Sequence, residues 1–336
     1  MSDAPSPTDL SGVRIAVTGA GGPAAVAFMQ SVHRAGAEVW AVDIDPYAAG
    51  LYLVGADRRA LVPRGDSAEF VDVVAERCGE WGIDVLVPTV DVELLPVARA
   101  TTEFEARGTK VLGSSVETLE RCLDKWTVLR SCAGVVEVPA TAVLDDGFDD
   151  TTWSFPAIAK PRLGSGGRGV TLVETAGGTR SLPRDGSYIV QELLPGLEHS
   201  LDVLAYRDGH VAAVVPRSRL KVDSGIAVAG TVDPDEDLIT YGRRVAQALG
   251  LTSVANVQVK QAANGAPRLL EVNPRFPGSM PLTIAAGADM PVLAVADVLG
   301  RDVPADVPIR ALAMVRTWTE TYFDPSELLD RSVVAR

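Results

Sequence analysis

Glu271 and Asn273 stand two residues apart at the end of an apolar run, in "LLEVNPRFPGS". If that run is a strand, both side chains lie on one face and Val272 points the other way. The preceding segment, "SVANVQVKQAANGAPRLLEVN", turns at Asn264-Gly265 and reads as a hairpin, so Asn256, Gln258 and Lys260 share one face of the partner strand. Oxygen-bearing side chains in a row suit a hard cation. Magnesium takes few protein ligands, keeps its waters and is held together with nucleotide phosphates. Gln258, Glu271 and Asn273 are therefore a candidate metal set, with Arg275 just beyond it to meet a transferred anion. A lone E-x-N fits a solvated sheet face with a turn at Asn273-Pro274 equally well.

Upstream, "AIAKPRLGSGGRGV" puts Lys160 at the end of a strand and Ser165, Gly166, Gly167, Arg168 and Gly169 shortly after it. Glycine-rich turns let backbone N–H groups approach phosphate oxygens, and Lys160 and Arg168 add positive charge. The run lacks the Gly-Lys-Ser/Thr ending of a P-loop and returns to a strand, so it reads as a hairpin flap over phosphates. An ordinary glycine-rich loop would look the same. About thirty residues on, "IVQELLPGLEHSLDV" places Glu192 and Glu198 around an apolar turn. Such a hinge can offer backbone groups to an adenine ring and a carboxylate to ribose hydroxyls; two exposed acids are the plainer alternative.

A third glycine run lies near the start. Gly19, Gly21 and Ala24 form G-x-G-x-x-A between a strand and a helix, and Asp43 ends the next strand, which is the dinucleotide fingerprint with its ribose acid. Glycines are also required wherever a strand turns tightly into a packed helix.

The elements that would carry these residues are legible from periodicity. Residues 13–113 alternate strands and helices, which predicts a parallel sheet covered on both faces. Within them, "SAEFVDVVAERCGEWG" reads as a helix capped by Ser67 and "DVELLPVARATTEFEARG" as one helix. "SSVETLERCLDKWTVLRSCAG" follows as a helical stretch. A looser, acidic "VLDDGFDDTTWS" comes next; further on, "EHSLDVLAYRDGHVAAVVPRSRLKV" reads as antiparallel strands joined at Asp208-Gly209, followed by a helix over "DLITYGRRVAQALG", a helical "PLTIAAGADMPVLAVADVLG", and a tail that adds a strand and a short helix.

In this order, "LDKWTVL", "AIAKPRLGSGGRGV", "IVQELLPGLEHSLDV" and "LLEVNPRFPGSMPLTIAAG" resemble the ATP-grasp superfamily, closest to its carbamoyl-phosphate-synthetase-like branch of single-chain carboxylate–amine ligases. The resemblance covers about residues 13 to 300. It implies a Rossmann-like pre-ATP-grasp domain (13–113, after a flexible tail, 1–12), a small flap subdomain (114–190), an antiparallel C-terminal subdomain (191–310) and an extension (311–336). It reassigns the first glycine loop, which in this family faces the acceptor substrate rather than NAD. Carried over residue by residue, Lys125 and Lys160 contact ATP phosphates and Ser165 to Gly169 form the flap. Gln191, Glu192, Leu193 and Leu194 hold adenine, and Glu198 the ribose. Gln258, Glu271 and Asn273 hold Mg2+ or Mn2+, and Arg275 stabilises the phosphoryl group. Gly21, Gly22, Arg217, Arg219, Lys221, Gly225 and Ser279 border the substrate, and "SGIAVAGTV" is expected to be a mobile loop. The chain departs from the family in the short "TAGGTRSLPRDGS" before the hinge, which trims the flap.

The implied activity activates a small carboxylate as its acyl-phosphate and couples it to an amine, releasing ADP and phosphate. The rivals are an NAD(P)-dependent oxidoreductase using the first loop and a non-catalytic nucleotide-binding regulator. The formal net charge of −13 argues against nucleic acid or an anionic membrane as main partner. Cys78, Cys122 and Cys132 have no CxxC spacing and suggest neither a disulfide framework nor a zinc site, which fits a reducing cytoplasm. No apolar run approaches the roughly 20 residues a membrane span needs. A homodimer follows by family analogy only.

Overall fold

Alternating strand and helix in the first third of the chain give β1 (Arg14–Val17), α1 (Pro23–Arg34), β2 (Glu38–Asp43), β3 (Arg59–Leu61), α2 (Phe70–Trp81), β4 (Val85–Val87), α3 (Asp91–Arg99), α4 (Thr101–Ala106) and β5 (Lys110–Val111). The computed structural model describes residues 8–164, 166–223 and 226–329. The five strands pair in parallel in the order β3-β2-β1-β4-β5. Apolar residues on both sides of β1 and β4 are buried because helices cover both faces: Phe28 and Val32 of α1 on one, Phe70 and Val74 of α2 on the other. Strand order reverses between β1 and β4. The crevice beyond their carboxyl ends is where open sheets of this kind take ligands.

α5 (Val116–Leu123) and α6 (Lys125–Cys132) lead into a four-stranded antiparallel sheet of β6 (Thr141–Leu144), β7 (Ala157–Pro161), β8 (Thr171–Val173) and β9 (Tyr188–Glu192), ordered β6-β9-β7-β8, with α7 (Ala176–Thr179) between β8 and β9. The third sheet is built from β10 (Glu198–Ala205), β11 (Val211–Asp223), β12 (Ile226–Val232), β13 (Ser253–Gln261), β14 (Pro267–Asn273) and β15 (Leu312–Val315), ordered β14-β13-β10-β11-β12-β15; α8 (Glu236–Leu249), α9 (Met280–Ala285) and α10 (Met290–Val298) pack on it. Among the described residues no helix is long and apolar enough to cross a membrane.

The cores are unequal. α1 shares one core with α9 and α10, with Phe28 edge-on to Phe276 at 4.9 Å, so the first and third sheets act as one block. The four-stranded sheet is held around Leu144, Ala157 and Val190. A core this small predicts that this sheet opens at lower free energy than the rest. After β15 the chain runs back over the first domain. Phe323 stacks on Tyr52 at 4.1 Å, the Arg59 guanidinium donates to the Glu327 carbonyl at 2.8 Å, and the Leu329 N–H donates to the Tyr52 hydroxyl.

Several local expectations are corrected. Leu10 is fully buried and its N–H donates to the Ala35 carbonyl, so the tail does not extend to residue 12. α2 begins at Phe70 after Glu69, and the Ser67 hydroxyl is spent on the Glu69 carboxylate instead of capping. The helix expected over 91–108 breaks at Ala100, whose N–H is shared between the Pro96 and Val97 carbonyls, the tightened geometry that closes a turn. Asp124 splits α5 from α6 by accepting from the Trp126 N–H. The "SGIAVAGTV" stretch is largely β12, fixed between β11 and β15 rather than loose.

Candidate active site

One cleft of about 1220 Å³ lies where the three sheets meet. Its roof is the β7–β8 hairpin, whose register pairs Ala157 with Val173. Lys160, near the end of β7, is buried to 6% exposure and its Nζ donates to the Leu270 carbonyl at 3.2 Å. Burial pushes its ammonium down to about 8; Glu271 opposes the shift and Lys125 adds to it. Lys125 opens α6 and its Nζ donates to the Gly164 carbonyl at 2.6 Å, with a Glu271 carboxylate oxygen 3.6 Å away. Asp124 caps α6 and takes Arg162 in a two-point contact, which ties the helix start to the end of β7. Gly166, Gly167 and Arg168 line the cleft; Gly169 does not. Gly169 has φ +74° and a Cβ there would lie 2.8 Å from Pro161, so its role is to fold the hairpin.

The floor is the β13–β14 ribbon. Gln258 faces Glu271 and Asn256 faces Asn273, while Val257 and Val272 pair in the core. This is the alternation the sequence predicted. The register slips between Gln258 and Val259, a bulge that brings Leu270 to the cleft beside Glu271 and offers its carbonyl to Lys160. The Asn273 Nδ2 donates to Glu271 at 3.3 Å and the Gln258 Nε2 to Asn256 at 3.4 Å, which leaves the Gln258 and Asn273 amide oxygens for a cation. Among the described residues no three His, Cys, Asp or Glu side chains form a metal cage. One carboxylate and two neutral oxygens bind a hard divalent ion weakly on their own and fit one whose remaining ligands are phosphate and water.

The wall between roof and floor is the segment 191–198. Gln191 is buried, donating to the Thr141 hydroxyl at 3.1 Å, and Glu192, Leu193, Leu194 and Glu198 line the cleft. Glu198 carries Arg219 at 2.5 Å. Arg217 is 2% exposed and is clamped on Asp202, which also accepts from Asn256 and Thr283. Ser279, Gly21 and Gly22 line the far end. Lys221 is exposed and outside the cleft, because β11 has run past it by that point. Ser165 and Gly225 lie outside the described residues. Arg275 borders the cleft, but its guanidinium sits two-pronged on Asp91 at 2.6 and 3.0 Å, a partner the sequence reading lacked. Asp43 accepts from the Gly21 and Asp45 N–H groups, one on each carboxylate oxygen, which fixes it at the edge of the cleft that it lines.

The residues missed were Glu93, Asp91 and Thr18. All lie at or just past the carboxyl ends of β1 and β4, the edge where a sheet of this order puts its ligands, and "PTVDVE" showed the acids there.

The family profile described as "PylC-like, N-terminal domain" matches residues 15–112, and the profile described as "ATP-grasp in the biosynthetic pathway with Ter operon" matches residues 185–321. Over these two stretches the chain is similar to the ATP-grasp superfamily. Among relatives of this chain, carnosine synthase 1 of Gallus gallus is 31% identical over 37% of the chain and 16% of its own length. The D-alanine–D-alanine ligase of Thermotoga maritima is 29% identical over 30% of the chain and 35% of its own length. The chain therefore spans only a minor part of these two relatives. A probable alpha-L-glutamate ligase of Stenotrophomonas maltophilia is 28% identical over 62% of the chain and 76% of its length. In structure, an N5-carboxyaminoimidazole synthetase from Staphylococcus aureus complexed with ADP superposes with a TM-score of 0.71 at 15% identity, over 89% of this chain and 80% of that one. At that identity the likeness is one of fold.

Proposed function

We propose that this protein is an ADP-forming ATP-grasp carboxylate–amine ligase. The observation that carries the proposal is convergence: the buried cations Lys125 and Lys160 and the oxygen row Gln258, Glu271 and Asn273 meet across one cleft whose other end opens on the first domain. The ligase names of the relatives point the same way. In this reading ATP lies between the β7–β8 hairpin and the ribbon, with adenine against 191–194, ribose at Glu198, and phosphates under Lys125, Lys160 and Arg168. Gln258, Glu271 and Asn273 would hold Mg2+ or Mn2+, which when bound neutralises the charge on the transferred phosphoryl group. Arg275 would reach that group on leaving Asp91. A small carboxylate then takes the γ-phosphoryl group, and an amine displaces phosphate from the acyl-phosphate. Such a transfer needs positioning and charge neutralisation rather than a covalent protein group. The three cysteines agree: all are buried, and burial raises their thiols, Cys78 and Cys132 to about 12.

The test is ADP release over paired amino acids and small carboxylic acids, followed by product mass. With a carboxylate labelled by oxygen-18, one label must appear in released phosphate; product without labelled phosphate would reject the acyl-phosphate route.

A further inference from the structure

The cleft is polarised. Most of its cations stand around the hairpin and the ribbon, whereas its amino-terminal end carries Glu93, Asp43 and Asp45, with Arg64 there paired to Asp66. Glu93, in the first turn of α3, is 4% exposed, and its Oε2 accepts from the Thr18 hydroxyl at 2.5 Å. Asp43, at the end of β2, is nearly as buried. Among the described residues no Lys, Arg or His pairs with either carboxylate. Of the nearby arginines, Arg64 is held by Asp66 and Arg275 by Asp91. A carboxylate removed from water with no counter-ion is unfavourable unless a proton or a cation joins it. Both acids line an open cavity at the strand-order reversal of a parallel sheet, so the missing cation has a way in.

We propose that the amine substrate of the ligation binds as an ammonium ion between Glu93 and Asp43, and that Glu93 takes its proton as the amine attacks. This rests on the ligase reading and names the class of nucleophile it uses: a primary amine that arrives charged. The step balances. R–NH3+ gives one proton to the Glu93 carboxylate. The freed lone pair forms the C–N bond at the acyl carbon, and the C–O bond to phosphate breaks. The second N–H proton leaves on phosphate as hydrogenphosphate, and Glu93 later returns its proton to water. Burial, with Asp43 adding to it, pushes Glu93 up to about 7, against the Thr18 hydroxyl and nearby backbone amides, which suits a proton acceptor at neutral pH. The other charged groups at this end are Asp45 and the pairs Arg64–Asp66 and Asp91–Arg275.

The decisive measurement needs no ATP. In protein carrying carboxyl-13C glutamate, the Glu93 signal is assigned by its loss in Glu93→Gln and titrated with and without ethylammonium, 1,4-diaminobutane and L-alanine methyl ester. At least one probe should lower the Glu93 titration midpoint by about one unit, a tenfold linkage, and Asp43→Asn should weaken that probe several-fold. No shift with any of the three, or equal probe binding in Glu93→Gln, overturns the proposal. Once a donor acid is known, Glu93→Gln should lower the ratio of amine coupling to hydroxylamine trapping at least tenfold. An equal fall in both reactions would mark a structural role and overturn the proton transfer. Absence of ADP with every acid would sink the ligase reading while the titration still answers for Glu93.

Discussion

Replacing Asp202 with alanine should destabilise the protein far more than any surface charge change. Asp202 is fully buried and accepts from Arg217 Nε at 2.8 Å, Arg217 Nη2 at 2.6 Å, Asn256 Nδ2 at 2.8 Å and the Thr283 hydroxyl at 2.5 Å. Its removal strands a guanidinium that is 2% exposed, at a cost of about 3–5 kcal/mol. The loss is a large share of the roughly 5–15 kcal/mol that holds a domain folded. Urea unfolding followed by tryptophan fluorescence and far-ultraviolet circular dichroism measures it. The paired change Asp202→Leu with Arg217→Met leaves no charge behind and should cost clearly less than Asp202→Ala alone. If Asp202→Ala costs under about 1 kcal/mol, the range of an exposed pair, then water reaches Arg217 and the reading of the two as a desolvated ion pair is wrong.

Four further outcomes are expected. Lys160 sits below its ordinary 10.5, at about 8, so the unfolded chain holds more protons between those values; stability should rise with pH through that window, and ADP affinity without magnesium should fall above pH 8, both dependences vanishing in Lys160→Met. Glu93 sits above its ordinary 4.5, at about 7, so the folded chain holds the extra proton; stability lost as pH rises from 4.5 to 7 should be recovered in Glu93→Gln, which melts higher than the parent at pH 8 and equally at pH 4. Glu271→Ala should reduce turnover by roughly 10²-fold or more at any magnesium concentration, and near-normal activity would remove Glu271 from the metal set. Gln258→Glu, which adds a second carboxylate to the row, should lower the magnesium concentration for half-maximal ADP release.

What the sequence revealed was whatever depends on neighbours along the chain. Alternation over 254–261 and 267–273 put Gln258, Glu271 and Asn273 on one face, and Asn264-Gly265 marked the turn, with Gly265 at φ +81°. The strand–helix alternation before Gly113 predicted the parallel sheet. Partners far apart in the chain were invisible. Arg275 meets Asp91 from 184 residues away, so a residue read as waiting for an anion is already paired. The Leu270 bulge exists only because two strands pair out of step. "SGIAVAGTV" has the glycines of a loop, yet β11 and β15 supply ladders on both sides and make most of it a strand. Glu93 looked like an ordinary first-turn acid until the sheet order placed it at the reversal point.

The return of residues 323–329 over the first domain bears on how the molecule comes into being. Tyr52 emerges from the ribosome early, but the group that its hydroxyl accepts from, the Leu329 N–H, is synthesised 277 residues later. Closing a contact of that span is slow. Until it closes, Tyr52 keeps its bond to the Pro46 carbonyl and Arg59 its bond to the Leu51 carbonyl, but the faces that Phe323 and Glu327 later cover stay open.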